Sequence, residues 1–241
     1  MKRFDLITIF PSSLDSYFGT SILKRAQEKK LIKIQAHDLR QWTRDKHHKT
    51  DDKPYGGGAG MVMLAEPILR AVSAVKKGKK SRVIVLSAKG KQFTQKDAQR
   101  LSKYDQLVFI CGRYEGIDER VKDILKAEEV SIGPYVTTDG EVTAAVMISA
   151  IARLIPGVIR FESLQEESHW GGQLKSEQKA LAVSGQEPGT SGQLEYPHYT
   201  RPEVLVWKGK KYRVPKVLVG GHHKKIAVWR QSASKRPKNR G

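Results

Sequence analysis

Three glycine-bearing segments follow apolar runs that read as strands, and together they are the best candidates for holding a ligand. Leu86-Ser87-Ala88-Lys89-Gly90 follows residues 82–87 (RVIVLS). Cys111-Gly112-Arg113-Tyr114-Glu115-Gly116 follows residues 106–111 (QLVFIC), and Ser131-Ile132-Gly133-Pro134-Tyr135, with Gly140 soon after, follows residues 128–132. Any one of these glycines is an ordinary turn residue. Three loops at the C-terminal ends of parallel strands, however, are where an open α/β sheet binds its ligand. A further segment from Asp51 to Met61 holds Gly56-Gly57-Gly58. Consecutive glycines let a backbone approach a flat ligand or a phosphate, and a plain surface turn accounts for them equally well. The segment is not a P-loop, because no Gly-Lys-Ser/Thr follows at the required spacing. It is not a dinucleotide fingerprint either, because no strand runs directly into it.

The second chemical signal is charge. The formal net charge is +19, from 44 Lys and Arg against 25 Asp and Glu. From Arg201 to Gly241 there are thirteen Lys or Arg and one acid, Glu203, with Trp207, Tyr212 and Trp229 interleaved. Such a block attracts phosphates, and its aromatic rings offer stacking faces, so a nucleic acid is the expected partner. His47-His48 and His222-His223 do not read as metal sites, since adjacent histidines diverge on a strand and no cysteine cluster accompanies them. Cys111 ends an apolar strand and reads as core; as the only cysteine it forms no internal disulfide, which fits a reducing compartment.

These loops need a scaffold. With 241 residues, 39% of them hydrophobic, the chain can bury a core, and a mean hydropathy of −0.50 points to a soluble protein. No run approaches the roughly 18 to 20 apolar residues of a membrane span. The start of the chain reads as a first strand (3–10) interrupted by Asp5, not as a targeting segment. Residues 20–30 read as a helix with Thr20 as N-cap, 31–36 as a strand, 43–60 as a long loop and 66–75 as a helix with Pro67 in its first turn. Helical patterns at 94–102, 117–126 and 141–154 alternate with the three strands named above. Strands alternating with helices predict an α/β fold with a parallel sheet covered on both faces. Residues 161–196, rich in Gly, Ser, Gln and Glu, read as a lid or linker. Residues 197–241 read as a separate basic helical unit, leaving 1–160 as the α/β domain.

The strings YGGGAGMVM, CGRYEGIDERV, SIGPYVTTDGE, ARLIPGVI, EYPHYTRPEV and VPKVLVGGHHKKIAVWR closely resemble the bacterial tRNA (guanine-N1)-methyltransferase family of the SPOUT superfamily. They run in the family's order from about Ile7 to Trp229. The resemblance implies a C-terminal trefoil knot in the α/β domain and a homodimer whose active sites are shared between subunits. It also implies S-adenosylmethionine as methyl donor, tRNA as substrate and the cytoplasm as the place of action. Mg²⁺ is implied as an accompanying ion, although no metal-ligand spacing is present. Periodicity does not reveal a knot. An inert tRNA-binding relative and a ribose 2′-O-methyltransferase are the rival readings, separable by donor binding and by product.

Residue by residue, the resemblance assigns the donor pocket to Leu86, Ser87, Gly112, Tyr114, Glu115, Gly116, Ser131, Ile132, Gly133, Pro134, Tyr135, Val136, Thr137 and Gly140. It assigns stabilisation of the reacting guanine to Arg153, which otherwise reads as a cation at a helix C-terminus. Gly57 and Gly58 match backbone that lies against the target base, and Ser168, Glu195, His198, Tyr199 and Arg201 match the RNA-facing motifs. The family's general base is an aspartate followed by serine. This chain has no aspartate after Asp139, and Glu167-Ser168 is the preferred match, with Glu187 the alternative. Two further departures lie in SIGPYVTTDGE: Pro134 stands where the family has aspartate, and Asp139 where it has glycine. Pro134 removes a backbone N–H, and Asp139 is expected to sit at a positive φ.

Overall fold

The computed structural model describes residues 1–160 and 196–233. The chain divides into two units, Met1–Arg160 and Phe161–Gly241. The first is built on five strands: β1 (Lys2–Thr8), β2 (Ile32–Asp38), β5 (Ser81–Gln92), β6 (Gln106–Ile110) and β7 (Glu128–Ser131). They form one sheet in the order β2-β1-β6-β5-β7, and every pairing is parallel. A separate small pair, β3 (Asp51–Asp52) and β4 (Val62–Met63), closes the base of the glycine-rich loop.

Alternate residues of the central strands feed two hydrophobic clusters, as a strand's two-residue period requires. Phe4, Leu6, Ile84, Leu86, Leu107 and Phe109 enter one cluster, where α2 (Ser21–Glu28), α4 (Gln95–Ser102) and α6 (Gly140–Ala152) supply Leu23, Leu101 and Ile148. Ile7, Val83, Val85, Val108 and Ile110 enter the other, against Ile68 and Val72 of α3 (Ala65–Val75) and Val121 of α5 (Arg120–Leu125). A sheet buried on both faces is what near-continuous apolar strands predict. The expected α/β architecture with a parallel sheet is therefore present.

Among the buried polar groups of the sheet is a carboxylate on β1. Asp5 is fully buried on β1 and accepts from Arg3 Nη2 at 2.9 Å and from Gln106 Nε2 at 2.7 Å, with His37 Nε2 at 2.8 Å. Burial alone would raise its pKa, yet the hydrogen bonds from His37, Arg3 and Gln106 hold it below the usual carboxylate value.

Several local expectations need correction. Thr20 precedes α2 but its hydroxyl does not cap it; it donates backwards to the carbonyls of Ser16 and, at 3.2 Å, Tyr17, and together these close the turn after α1 (Asp15–Phe18). The capping box instead occurs at α4, between Thr94 and Asp97. β5 runs five residues beyond its expected end, through a register shift between Leu86 and Lys91, because Gly90 passes so close to β7 that a Cβ there would lie 2.6 Å from the Val130 nitrogen.

The second unit is not helical throughout. Its described residues, 196–233, hold an antiparallel hairpin, β8 (Val204–Trp207) and β9 (Lys210–Arg213), followed by α7 (Lys216–Val219) and α8 (His223–Ala233). The hairpin turn is Lys208-Gly209, with φ of 48° and 74°, the two-residue turn whose twist matches its strands. None of the residues of α7 and α8 is buried.

Candidate functional site

The register-shifted middle of β5 and the loops that leave β6 and β7 at their C-terminal ends enclose a cavity of about 410 Å³. Leu86 and Ser87 reach it from β5; Gly112, Tyr114, Glu115 and Gly116 from the loop after β6; Ser131, Ile132, Tyr135, Val136 and Thr137 from the loop after β7; and Gly140 from the start of α6. Of the residues assigned to a donor pocket, Gly133 and Pro134 do not line this cavity. Pro134 is exposed, and Gly133 is buried under the ring of Tyr135, which a Cβ at that position would strike.

The packing of the loops fixes the cavity floor. Gly140 donates its amide to the Gly112 carbonyl at 3.1 Å, and an added Cβ would lie 2.7 Å from both Cys111 Cα and the Gly112 nitrogen. Glycine is required there by the approach of two backbones. Asp139 has φ −161°, an ordinary extended conformation, so the positive φ expected of it is not found. Its carboxylate accepts from the Val142 amide at 2.8 Å and caps α6. Burial would raise the Asp139 pKa, but that amide, the Thr138 hydroxyl and the charge of Arg113 pull it below the ordinary value.

Behind the cavity, Glu141 is buried and takes the Thr8 hydroxyl on one carboxylate oxygen. Its other oxygen receives Nε and Nη2 of Arg113, each at 3.1 Å. The Arg113 guanidinium also lies 4.6 Å from the centre of the Phe10 ring. One rim of the cavity is charged. Lys89 pairs with Glu119 at 2.8 Å and Glu129 at 3.9 Å, and Lys122 pairs with Glu119 and, at 3.6 Å, with Glu129. The hydrogen bond from Lys122, then that from Lys89, lowers the Glu119 carboxyl to about 2. Burial drives the Cys111 thiol well above its usual value, which leaves it protonated and unsuited to nucleophilic work.

Arg113, Lys89, Glu119, Lys122, Glu129 and Asp139 also line the cavity; none was assigned to the donor pocket from sequence, where Asp139 entered only as a departure from the family's glycine. Only Asp139 carried a readable signal, an acid directly before an apolar helical run. The Lys and Glu residues are scattered over some forty positions and meet only through the sheet order.

The glycine-rich loop is tied to the cavity at its base. Glu115 donates its amide to the Met61 carbonyl at 3.0 Å, Met63 to the Gly116 carbonyl at 2.9 Å and Asp118 to the Met63 carbonyl at 3.1 Å. Gly57 and Gly58, at φ 79° and 122°, stand exposed beyond this base and do not line the cavity. Arg153 follows α6 directly and is half-buried. It does not line the cavity either; α6 separates it from Gly140 by thirteen residues, about 20 Å of helix. Glu167, Ser168, Glu187 and Glu195 lie outside the described residues. In the second unit, the His198 ring lies tilted against Tyr196 at 4.6 Å, Tyr199 lies 6.3 Å from Trp229, and the Arg230 guanidinium sits 4.6 Å over Tyr196. Arg201 is exposed and joined to Pro202 by a cis peptide. No helix among the described residues is long and apolar enough to cross a membrane.

Comparison with known proteins adds a family. Residues 1–240 match the family model described as tRNA (Guanine-1)-methyltransferase TrmD. A tRNA (guanine-N(1)-)-methyltransferase of Thermomicrobium roseum is 47% identical over 243 residues, covering 98% of this chain and 82% of the relative. Proteins of the same name from Carboxydothermus hydrogenoformans and Dictyoglomus turgidum are 46% and 47% identical, each covering 96% of this chain and 82% and 84% of themselves.

Proposed function

The chain belongs to the tRNA (guanine-1)-methyltransferase family, and from that membership we propose that it methylates N1 of the guanine just 3′ of the tRNA anticodon, with S-adenosylmethionine as donor. The observation that carries the reading is the strand-end cavity. Its glycine-lined floor brings backbone amides and carbonyls within reach of an adenine and ribose, and its size suits a nucleoside-sized ligand. When bound, the donor supplies an electrophilic methyl group.

The chain's own residues then have three tasks. Guanine N1 carries a proton at neutral pH, so a base must take it; Glu167 is assigned that task, with Glu187 the alternative, and general-base help of this kind is worth about 10²–10⁴-fold. Charge that develops on the guanine O6 needs a donor, and Arg153 is assigned there. The cavity loops and the RNA-binding surfaces hold methyl and N1 in line, which supplies much of the remaining acceleration. Glu195, His198, Tyr199 and Arg201 are assigned to the tRNA, as are Gly57, Gly58 and Ser168.

The homodimer with shared active sites is part of the proposal. Arg153 stands a full helix length from the cavity of its own protomer, so a second copy must bring it to the guanine. Val142 and Val146, one turn apart on α6, are 48% and 45% exposed and offer an apolar contact face. The trefoil knot belongs to the same proposal, supported by the close crossing of Gly140 over Cys111 and Gly112. Mg²⁺ is assigned to the RNA, and no step runs through it. The cytoplasm is where the reaction is placed, since tRNA is there.

The test is a transfer assay with labelled donor and unmodified tRNA, followed by nucleoside analysis. 1-Methylguanosine supports the reading. A 2′-O-methyl nucleoside, or donor and tRNA binding without product, overturns it. Glu167→Gln is expected to lower kcat by about 10²-fold or more with little change in tRNA affinity; if Glu187→Gln does this instead, the base is Glu187.

A further inference from the structure

Next to the donor cavity lies a second, open groove of about 470 Å³ that no part of the proposed reaction uses. Its walls carry four cations, Arg44, Lys49, Arg70 and Arg120, and it shares Asp118 with the donor cavity. The base of the glycine-rich loop is hydrogen-bonded to this groove, Asp118 donating its amide to the Met63 carbonyl at 3.1 Å, and the loop carries Tyr55. The Tyr55 side chain is fully exposed. Gly56, Gly57 and Gly58 all have positive φ and open space where a Cβ would stand or only a distant neighbour, so the loop is built for a backbone path and not for packing.

We propose that this surface is the track of the RNA strand beside the reacting guanine: Tyr55 stacks on the base next to the target, and the groove cations take the flanking phosphates. The inference rests on the tRNA-methylating reading above and names where the substrate lies on the α/β unit. Three observations carry it. An aromatic ring held wholly in water has no packing role, whereas a single-stranded nucleotide offers a π-face that any ring can stack on. The loop that bears Tyr55 is hydrogen-bonded at its base to residues 115–118 of the donor cavity, so a base stacked there is held at a set distance from the donor. Finally, the groove's acids leave three of its four cations accessible, the fourth, Arg70, being 23% exposed and held by Glu66 and the Trp42 carbonyl. Arg44 reaches Glu66 only at 4.0 Å and is 81% exposed, Lys49 pairs with Asp52 at 3.1 Å while half-exposed, and Arg120 is 70% exposed while held by Asp118. Exposed pairs of this kind contribute little to stability, so a phosphate can take the cation. Asp45, the remaining acid, is engaged with the amides of His47 and Lys49.

The experiment measures equilibrium binding of unmodified tRNA to the full-length protein over a salt series, together with KM for tRNA. Tyr55→Ala is expected to weaken binding about tenfold, and Tyr55→Phe to keep most of it, because the ring and not the hydroxyl does the stacking. The double variant R44Q/K49Q is expected to flatten the slope of log affinity against log salt by about 0.7 for each phosphate no longer neutralised. Tyr55→Ala binding like the unaltered protein, or an unchanged salt slope in R44Q/K49Q, overturns the proposal. Binding is read without turnover, so this outcome is distinguishable from failure of the methylation reading, which shows as the absence of 1-methylguanosine from the unaltered protein. Thermal unfolding of each variant, expected to match the unaltered protein because these side chains are exposed, separates a weakened RNA surface from impaired folding.

Discussion

The donor cavity and the surfaces assigned to RNA are built in opposite ways. The cavity is framed by buried strand ends, by a glycine whose missing side chain lets two backbones meet, and by the buried pair of Glu141 and Arg113. The RNA surfaces, both the groove beside Tyr55 and the 196–233 unit, are exposed side chains whose charges are paired loosely or stacked on rings. A frame of this kind suits a small ligand of fixed shape, whereas many weak, replaceable contacts suit a long polyanion. Single changes should therefore be severe in the first region and graded and salt-dependent in the second.

The largest effect is expected at Gly140→Ala. Its new methyl would stand 2.7 Å from backbone atoms of Cys111 and Gly112, which must move apart. A stability loss of about 1–3 kcal/mol is expected from such overpacking, with donor binding by calorimetry falling more than tRNA binding. Equal loss of both ligands would break the separation of the two regions. Glu141→Ala comes next, since it strips the buried partner from Arg113. A buried pair broken from one side costs about 3–5 kcal/mol; with the Arg113 side chain 22% exposed, about 2 kcal/mol is expected, read by chemical denaturation. Glu141→Gln, which still accepts a hydrogen bond, should recover part of it.

The smaller test concerns pH. The folded pKa of Asp5 is held below the ordinary value of 3.8, so its contribution is fully present above about pH 4 and is lost as pH falls through the lower folded value. Unfolding free energy should therefore drop below pH 4 more steeply in the unaltered protein than in Asp5→Asn. Parallel pH curves would show that the His37, Arg3 and Gln106 network does not hold the charged form. Smallest of all is Trp229→Ala in the exposed unit. It should cost about 1 kcal/mol or less in stability from its loose ring packing with Tyr196 and Tyr199, with its main effect on tRNA affinity.

The same contrast explains what could be read from the residues alone. The sheet and its helices announce themselves because burial on two faces demands long apolar runs such as RVIVLS and QLVFIC, and the strand-end loops follow from them. Resemblance then names all three cavity-lining glycines, Gly112, Gly116 and Gly140, along with Gly133, which does not line it. The hairpin at 204–213 is hidden because its first strand, VLVW, is an apolar run too short to tell strand from helix, its second, KKYR, is basic, and Lys208-Gly209 reads as one more basic stretch when it is the turn itself. The continuation of β5 past Leu86 is hidden for a similar reason: Ala88, Lys89 and Gly90 look like a loop until β7 is known to lie alongside. The charged rim of Lys89, Glu119, Lys122 and Glu129 has no spacing signal at all, because only the order β6-β5-β7 brings those residues together. Asp139 shows how a departure from a family pattern is absorbed: an acid where glycine is usual becomes a helix cap in extended backbone.

The most direct test uses two tRNA transcripts that differ only in the base 3′ of the anticodon, guanine in one and adenine in the other, each incubated with labelled S-adenosylmethionine and the full chain. The account predicts label on the guanine transcript alone, recovered as 1-methylguanosine. Label on both transcripts, or on the guanine transcript as a 2′-O-methyl nucleoside, would contradict it.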